Sequence, residues 1–95
     1  MAYYMGIHTL PGFTKEMLIQ ATPALEQLTP TNGSEAQFMR ALSSFSEGRV
    51  TCEFEAPSKE SVVAAYARLG FPYDAIVEVD AICVGGDAGV LTTDV

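Results

Sequence analysis

The stretch from Ala36 to Ala56 turns back on itself, and this constrains the fold more than any other feature. Two strand-like runs, Ala36 to Phe45 and Val50 to Ala56, flank Ser46-Glu47-Gly48-Arg49. Gly48 supplies the positive φ that a tight hairpin needs. A helix-forming segment stands on each side of this hairpin. Beyond the first helix, toward the N-terminus, lies Tyr3 to Leu10, rich in aromatic and aliphatic residues and closed by Pro11-Gly12. Beyond the second helix lies Ile76 to Val84. The order is therefore β-α-β-β-α-β.

β-α-β crossovers are right-handed, so both helices fall on one side of the sheet. The expectation is an α+β, ferredoxin-like sandwich: a four-stranded antiparallel sheet, strand order 4-1-3-2, with two helices on one face. The first helix starts at Thr14, a good N-cap, with Glu16 in its first turn. Met17, Leu18, Ala21, Ala24, Leu25 and Leu28 recur at helical spacing. Pro23 should kink that helix or split it near Thr22. Thr29-Pro30 to Glu35 is a loop by composition. Ser58 caps the second helix, Val62, Val63, Tyr66 and Leu69 form its apolar face, and Gly70 with Pro72 ends it. Residues 1–84 then form one domain. Residues 85–95, with adjacent glycines and no periodicity, read as a flexible or partner-contacting tail.

Composition bounds the function. Apolar residues make up 48% of the 95 residues and charged ones 18%, a globular balance. The formal net charge of −7 argues against nucleic acid or an anionic membrane surface, since both demand basic patches. No apolar run approaches the roughly 20 residues of a membrane span. No basic stretch leads into an apolar one at the N-terminus, so a cytoplasmic location is expected. Cys52 and Cys83 lack metal or redox spacing and read as small apolar residues.

A sheet covered on one side leaves the other to water or a partner. Period-2 reading places Val50, Cys52, Phe54 and Ala56 toward the helices, with Val77, Val79, Ala81 and Cys83 of the last strand. Tyr3, Met5, Ile7 and Thr9 read as the helix-side set of the first strand. Tyr4, Gly6 and His8, the single histidine, then join Glu53, Glu55, Ile76, Glu78 and Asp80 on the open face. Phe38, Arg40 and Leu42 share a face, with Arg40 on the open side. An imidazole among carboxylates suits acid–base work or metal ligation, with His8 as base and Glu53 or Glu78 setting its pKa. The alternative is a solvated acidic face. Apolar residues mixed into the open face suggest homodimerisation through the sheet.

Several stretches resemble a small nickel-binding family of ferredoxin-like proteins, most of whose members have no assigned function. They are "YMGIH", "TKEML", "GRVTCEFEAPSKESVV" and "GFPYDAIVEV", and the segments Cys52–Glu60 and Gly70–Val79 are the most specific. The resemblance implies a dimeric ferredoxin-like fold and, in nickel-binding members, metal held by histidines. Such members have histidines at the positions of Thr9, Tyr66 and Phe71. Only His8 matches, and one histidine with carboxylates makes a weak nickel or zinc site. The aromatic replacements point to a more apolar site instead. His8, Tyr4, Tyr66, Phe71 and Tyr73 are the candidate lining, with Arg40 for an anionic head group.

Gly85 to Gly89 opens no helix that a phosphate loop requires, and Ser43, Ser44 and Ser46 lack a triad partner. The expected function is a homodimeric protein that binds an apolar or amphiphilic, acyl-type small molecule, with binding favoured over catalysis. The alternatives are an acid–base enzyme using His8 and a degenerate nickel or divalent-metal binder.

Overall fold

The computed structural model describes residues 1–80, 82–85 and 89–92. Its elements run β1 (Ala2–Thr9), α1 (Lys15–Glu26), a 3-10 turn (Pro30–Asn32), β2 (Gln37–Ser44), β3 (Arg49–Ala56), α2 (Lys59–Leu69), β4 (Ala75–Val79), β5 (Ile82–Gly85) and β6 (Gly89–Thr92). The first four strands form one antiparallel sheet in the order β2-β3-β1-β4, which is the expected 4-1-3-2 order read from the other edge. This is the ferredoxin-like α+β architecture.

The local signals in the sequence act as their chemistry dictates. The Thr14 side chain accepts from the Met17 N–H, and the Ser58 side chain from the Ser61 N–H. Gly48 takes φ +66 in the β2–β3 hairpin, and its carbonyl accepts from the Leu10 N–H at 2.7 Å. Pro23 does not split α1, which runs unbroken through it. The Thr22 hydroxyl donates to the Leu18 carbonyl at 2.8 Å, adding a side-chain bond within the turn that precedes Pro23. Leu25 is the one buried residue of α1, and Leu28 just beyond it is also buried, whereas Met17 is exposed. The core closes around Phe54, Val62, Tyr66, Leu25 and Leu28.

Three expectations are corrected. First, β1 and β4 present the opposite faces from those expected. Tyr4 pairs with Phe54, Gly6 with Cys52 and His8 with Val50, so Tyr4, Gly6 and His8 point toward the helices and are buried. Ile76 and Glu78 share that face, opposite Gly6 and Tyr4. Tyr3, Met5 and Ile7 lie instead on the open face with Val77, Val79 and Glu53. Both alternating sets of β1 are largely apolar, so periodicity alone left the choice open. Second, a bulge at Met39 puts Phe38 opposite Phe54 and Arg40 opposite Glu53. Phe38 therefore packs inward, edge-on to Phe54 at 5.8 Å, while Arg40 and Leu42 take the open face.

Third, β4 stops at Val79 and does not run on to Val84. The chain leaves the sheet at the exposed Asp80, and Ile82–Gly85 pairs with Gly89–Thr92 in a separate two-stranded ribbon. No glycine or proline marks this exit, and apolar residues continue across it, so the sequence reads as one strand. Part of the expected tail is thus β6, while residues 86–88 and 93–95 lie outside the described residues. Side chains after Asp80 also lie outside them, and with them the expected face of Cys83.

Candidate functional site

His8 sits near the C-terminal end of β1 and is 2% exposed. Its Nδ1 lies 2.7 Å from the Pro72 carbonyl oxygen, and its Nε2 lies 2.9 Å from the Tyr66 hydroxyl. A carbonyl only accepts, so Nδ1 carries the proton. In the neutral ring Nε2 is then an acceptor, and the Tyr66 hydroxyl donates to it. Tyr66 comes from α2, and its ring is edge-on to His8 at 5.0 Å and to Phe54 at 5.3 Å. Tyr73 stacks on Tyr66 at 5.1 Å.

This arrangement depends on Gly6. A Cβ at Gly6 would run into the Tyr66 hydroxyl and ring. A mid-strand glycine marks a close approach, and here the approach is that of the tyrosine that holds the histidine.

Tyr66 also has a polar contact with Cys52, two residues along β3 from Val50. Burial pushes the Cys52 thiol up from 9.0 to about 11, and its contact with Tyr66 offsets this only in part. Burial, followed by the nearby Cys52, raises the Tyr66 phenol as well. Cys52 and Tyr66 thus keep their protons, beside the His8 ring and the Pro72 carbonyl.

His8 and Cys52 lie at one cleft. Leu10 and Phe13 from the β1–α1 connection line it, with Leu18 and Leu25 from α1 and Val50 and Phe71 from the sheet and the α2–β4 connection. Its enclosed space is about 10 Å³, near what one water needs. Phe71 therefore faces the same space as His8, and Tyr66 touches His8 directly. Thr9 follows His8 on the strand and turns to the other sheet face, its hydroxyl donating to Asp74 at 2.6 Å. The four positions that the resemblance assigns to histidines thus converge on one end of the sheet.

The other expected site residues lie apart. Arg40 is on the opposite sheet face, where its Nε lies 3.0 Å from Glu53 Oε1. Tyr3 donates to the same oxygen at 2.7 Å. The Tyr3 phenol is pushed up to about 12, first by burial and then by Glu53. Tyr4 is buried on the helix side, two residues from Gly6, opposite Glu78. The expected meeting of His8 with Glu53 or Glu78 does not occur, because both its ring nitrogens go to Pro72 and Tyr66. Cys52 was expected only as core packing, and its position at the cleft follows from its register opposite Gly6.

The raised Cys52 and Tyr3 give the protein a defined alkaline response. Unfolded, a thiol and a phenol release protons from about pH 9 and 10, whereas folded Cys52 and Tyr3 hold theirs to about 11 and 12. The unfolded state therefore binds fewer protons between these limits, and stability falls as pH rises. Urea midpoints should drop as pH rises between about 9 and 12. A midpoint still level at pH 11 would contradict the burial of Cys52.

The sequence pattern of the "Nickel responsive protein SCO4226-like" family matches residues 4–79, from Tyr4 to the end of β4. The chain belongs to this nickel-responsive family. The crystal structure of SCO4226 from Streptomyces coelicolor A3(2) superposes with a TM-score of 0.72. It is 30% identical, and the match covers 82% of this chain and 95% of that one. A search of the curated proteins finds no match. No helix among the described residues is long and apolar enough to cross a membrane.

The described residues of this family member present no donor set for a nickel centre. Among the described residues no three His, Cys, Asp or Glu side chains gather to hold an ion. Both nitrogens of His8 are engaged, and the Cys52 thiol is held in its protonated form. Imidazole and thiolate, donors that nickel favours, are thus not presented there in free form.

Proposed function

We propose that this member of the nickel-responsive family is a homodimeric binding protein whose site is the cleft beside His8, and that it takes a small apolar or amphiphilic molecule. One observation carries this reading: the positions that converge beside His8 carry apolar or fully bonded side chains. Six apolar residues surround the space, and of the polar groups at it, His8 has both ring nitrogens hydrogen-bonded and Cys52 keeps its thiol proton. Such a lining favours a neutral apolar group and offers a cation nothing.

In the present state the enclosed space admits a group the size of a water. An acyl chain enters only if α1 lifts. The helix is suited to that, since Leu25 alone among its residues is buried. Apolar side chains on the open sheet face support the dimer. Leu42 and Val77 are 53% and 43% exposed there, beside half-buried Tyr3, Met5, Ile7 and Val79.

Native mass spectrometry of the purified protein tests both parts. The expected spectrum shows a two-subunit mass carrying an organic molecule that is absent after denaturation. Short fatty acids and alcohols should shift the amides of Leu18, Leu25 and Phe71, and Leu18→Arg should abolish the shifts. Calorimetry with nickel should give the same small heat for wild type and His8→Ala. A nickel heat that depends on His8 would overturn the ligand reading, and a purely monomeric spectrum would overturn the dimer.

A further inference from the structure

A second pocket, about 110 Å³ in volume, shares no residue with the cleft. It lies between α2 and the loop that follows the 3-10 turn. Ser61, Ala64, Ala65 and Arg68 recur at helical spacing and form one wall, and Gly33, Ser34 and Glu35 form the other. The two alanines leave the space open. Ser61 and Ser34 are both buried, and the Ser34 hydroxyl is taken by the Ala36 carbonyl at 2.6 Å.

The pocket carries one charge of each sign, and the two do not pair with each other. Among the described residues the ion pair is Arg40–Glu53, on another face of the molecule. Arg68 Nη1 donates to the Asn32 carbonyl at 2.9 Å, which fixes the guanidinium beside the loop. Glu35 Oε1 accepts from the Ser61 hydroxyl at 3.4 Å, which orients the carboxylate against α2. Each group is thus tethered by one bond and has charge left for a ligand. A molecule with both an anionic and a cationic end would satisfy the two at once.

Size and field narrow the class. A cavity of roughly 150 Å³ accepts benzene, so this one accepts about four or five heavy atoms. The ammonium, α-carbon and carboxylate of an amino acid make about five. The net charge of −7 disfavours a simple anion at Arg68 but not a ligand neutral as a whole. We propose that this pocket binds the head of a free α-amino acid, with its carboxylate on Arg68, its ammonium on Glu35 and its side chain toward solvent.

The test is an amide chemical-shift titration of the full chain with glycine, and with N-acetylglycine and methylammonium as probes carrying one charge each. Glycine should shift the amides of Ser34, Glu35, Ser61 and Arg68 saturably, with a roughly millimolar Kd. Each one-charge probe should bind about tenfold more weakly or worse. Glu35→Gln and Arg68→Gln should each weaken glycine binding by a similar factor, and Lys59→Gln should leave it unchanged. A glycine titration without saturation would overturn the proposal, as would N-acetylglycine binding as well as glycine. The comparison of probes on the wild-type chain decides even if a variant fails to fold. Because the pocket and the cleft share no residue, failure here leaves the cleft reading intact.

Discussion

Gly6→Ala should cost about 3 kcal/mol or more, the largest effect expected of any single methyl group added to this protein. The added Cβ would stand 2.6 Å from Tyr66 Cζ and 2.8 Å from Cε2, with the hydroxyl closer still. Neither side can yield easily. Gly6 is paired on both edges, to Cys52 of β3 and Ile76 of β4. Tyr66 is 1% exposed, is wedged against Phe54 and Tyr73, and is tied to His8. Either the sheet bows or the ring swings away and strands the imidazole. Overpacking costs about 1–3 kcal/mol, and the stranded buried group about as much again. For a domain of this length, 3 kcal/mol corresponds to a fall in Tm of about 12–24 °C. Thermal and urea unfolding measure it directly. A loss under about 1 kcal/mol would show that Tyr66 does not rest on Gly6.

Tyr66→Phe is the second large effect, and its sign is instructive because it keeps the ring. The aromatic packing survives, but His8 Nε2 loses its donor and Cys52 its polar contact. An unsatisfied acceptor at a histidine 2% exposed should cost about 1–3 kcal/mol. His8→Leu alone should cost a comparable amount, because it takes the acceptor from the Tyr66 hydroxyl and the donor from the Pro72 carbonyl. The double variant should be destabilised by less than the sum, with a coupling of about 1 kcal/mol or more. Additive losses would mean that the two side chains do not depend on one another. The same variants separate a structural role from a binding one. If the His8–Tyr66 bond only props the fold, ligands that shift Leu18 and Phe71 should still bind to Tyr66→Phe below its unfolding temperature.

The fold was legible because its signals are local and redundant. Thr14 and Ser58 cap helices, Gly48 turns a hairpin, and Pro and Gly close the helical runs. Together these left one topology once the handedness of crossovers was applied. The faces of the sheet were fully legible only in β3, where Thr51, Glu53 and Glu55 alternate with apolar residues, and in part in β2, where Arg40 and Leu42 take the open side as expected. In β1 the alternation sets Tyr3, Met5 and Ile7 against Tyr4, Gly6 and His8, and neither set is clearly the wetter. Side-chain volume decides there: the face with Gly6 is the one that can receive Tyr66. The bulge at Met39 had no marker, since no glycine stands at it, and it moved Phe38 away from Arg40.

The candidate site was legible as a set of positions but not as a place. The resemblance joined His8, Tyr66 and Phe71, and the folded chain brings them together. Sequence reasoning also joined His8 to Glu53, which lies through the sheet on the other side, because one error of face carries every residue of a strand with it. Cys52 entered the site through the same register that removed the carboxylates.

By itself, then, the sequence determined the order of the two helices and the four strands of the main sheet, the helix caps, the strand order and the family, since each rests on local conformational preference or on residue identity. Only the tertiary structure decided that His8 is a buried, fully bonded imidazole rather than an exposed base. That outcome depends on which side of β1 faces α2, and the side is chosen by the fit of the Tyr66 ring over a strand position that has no side chain.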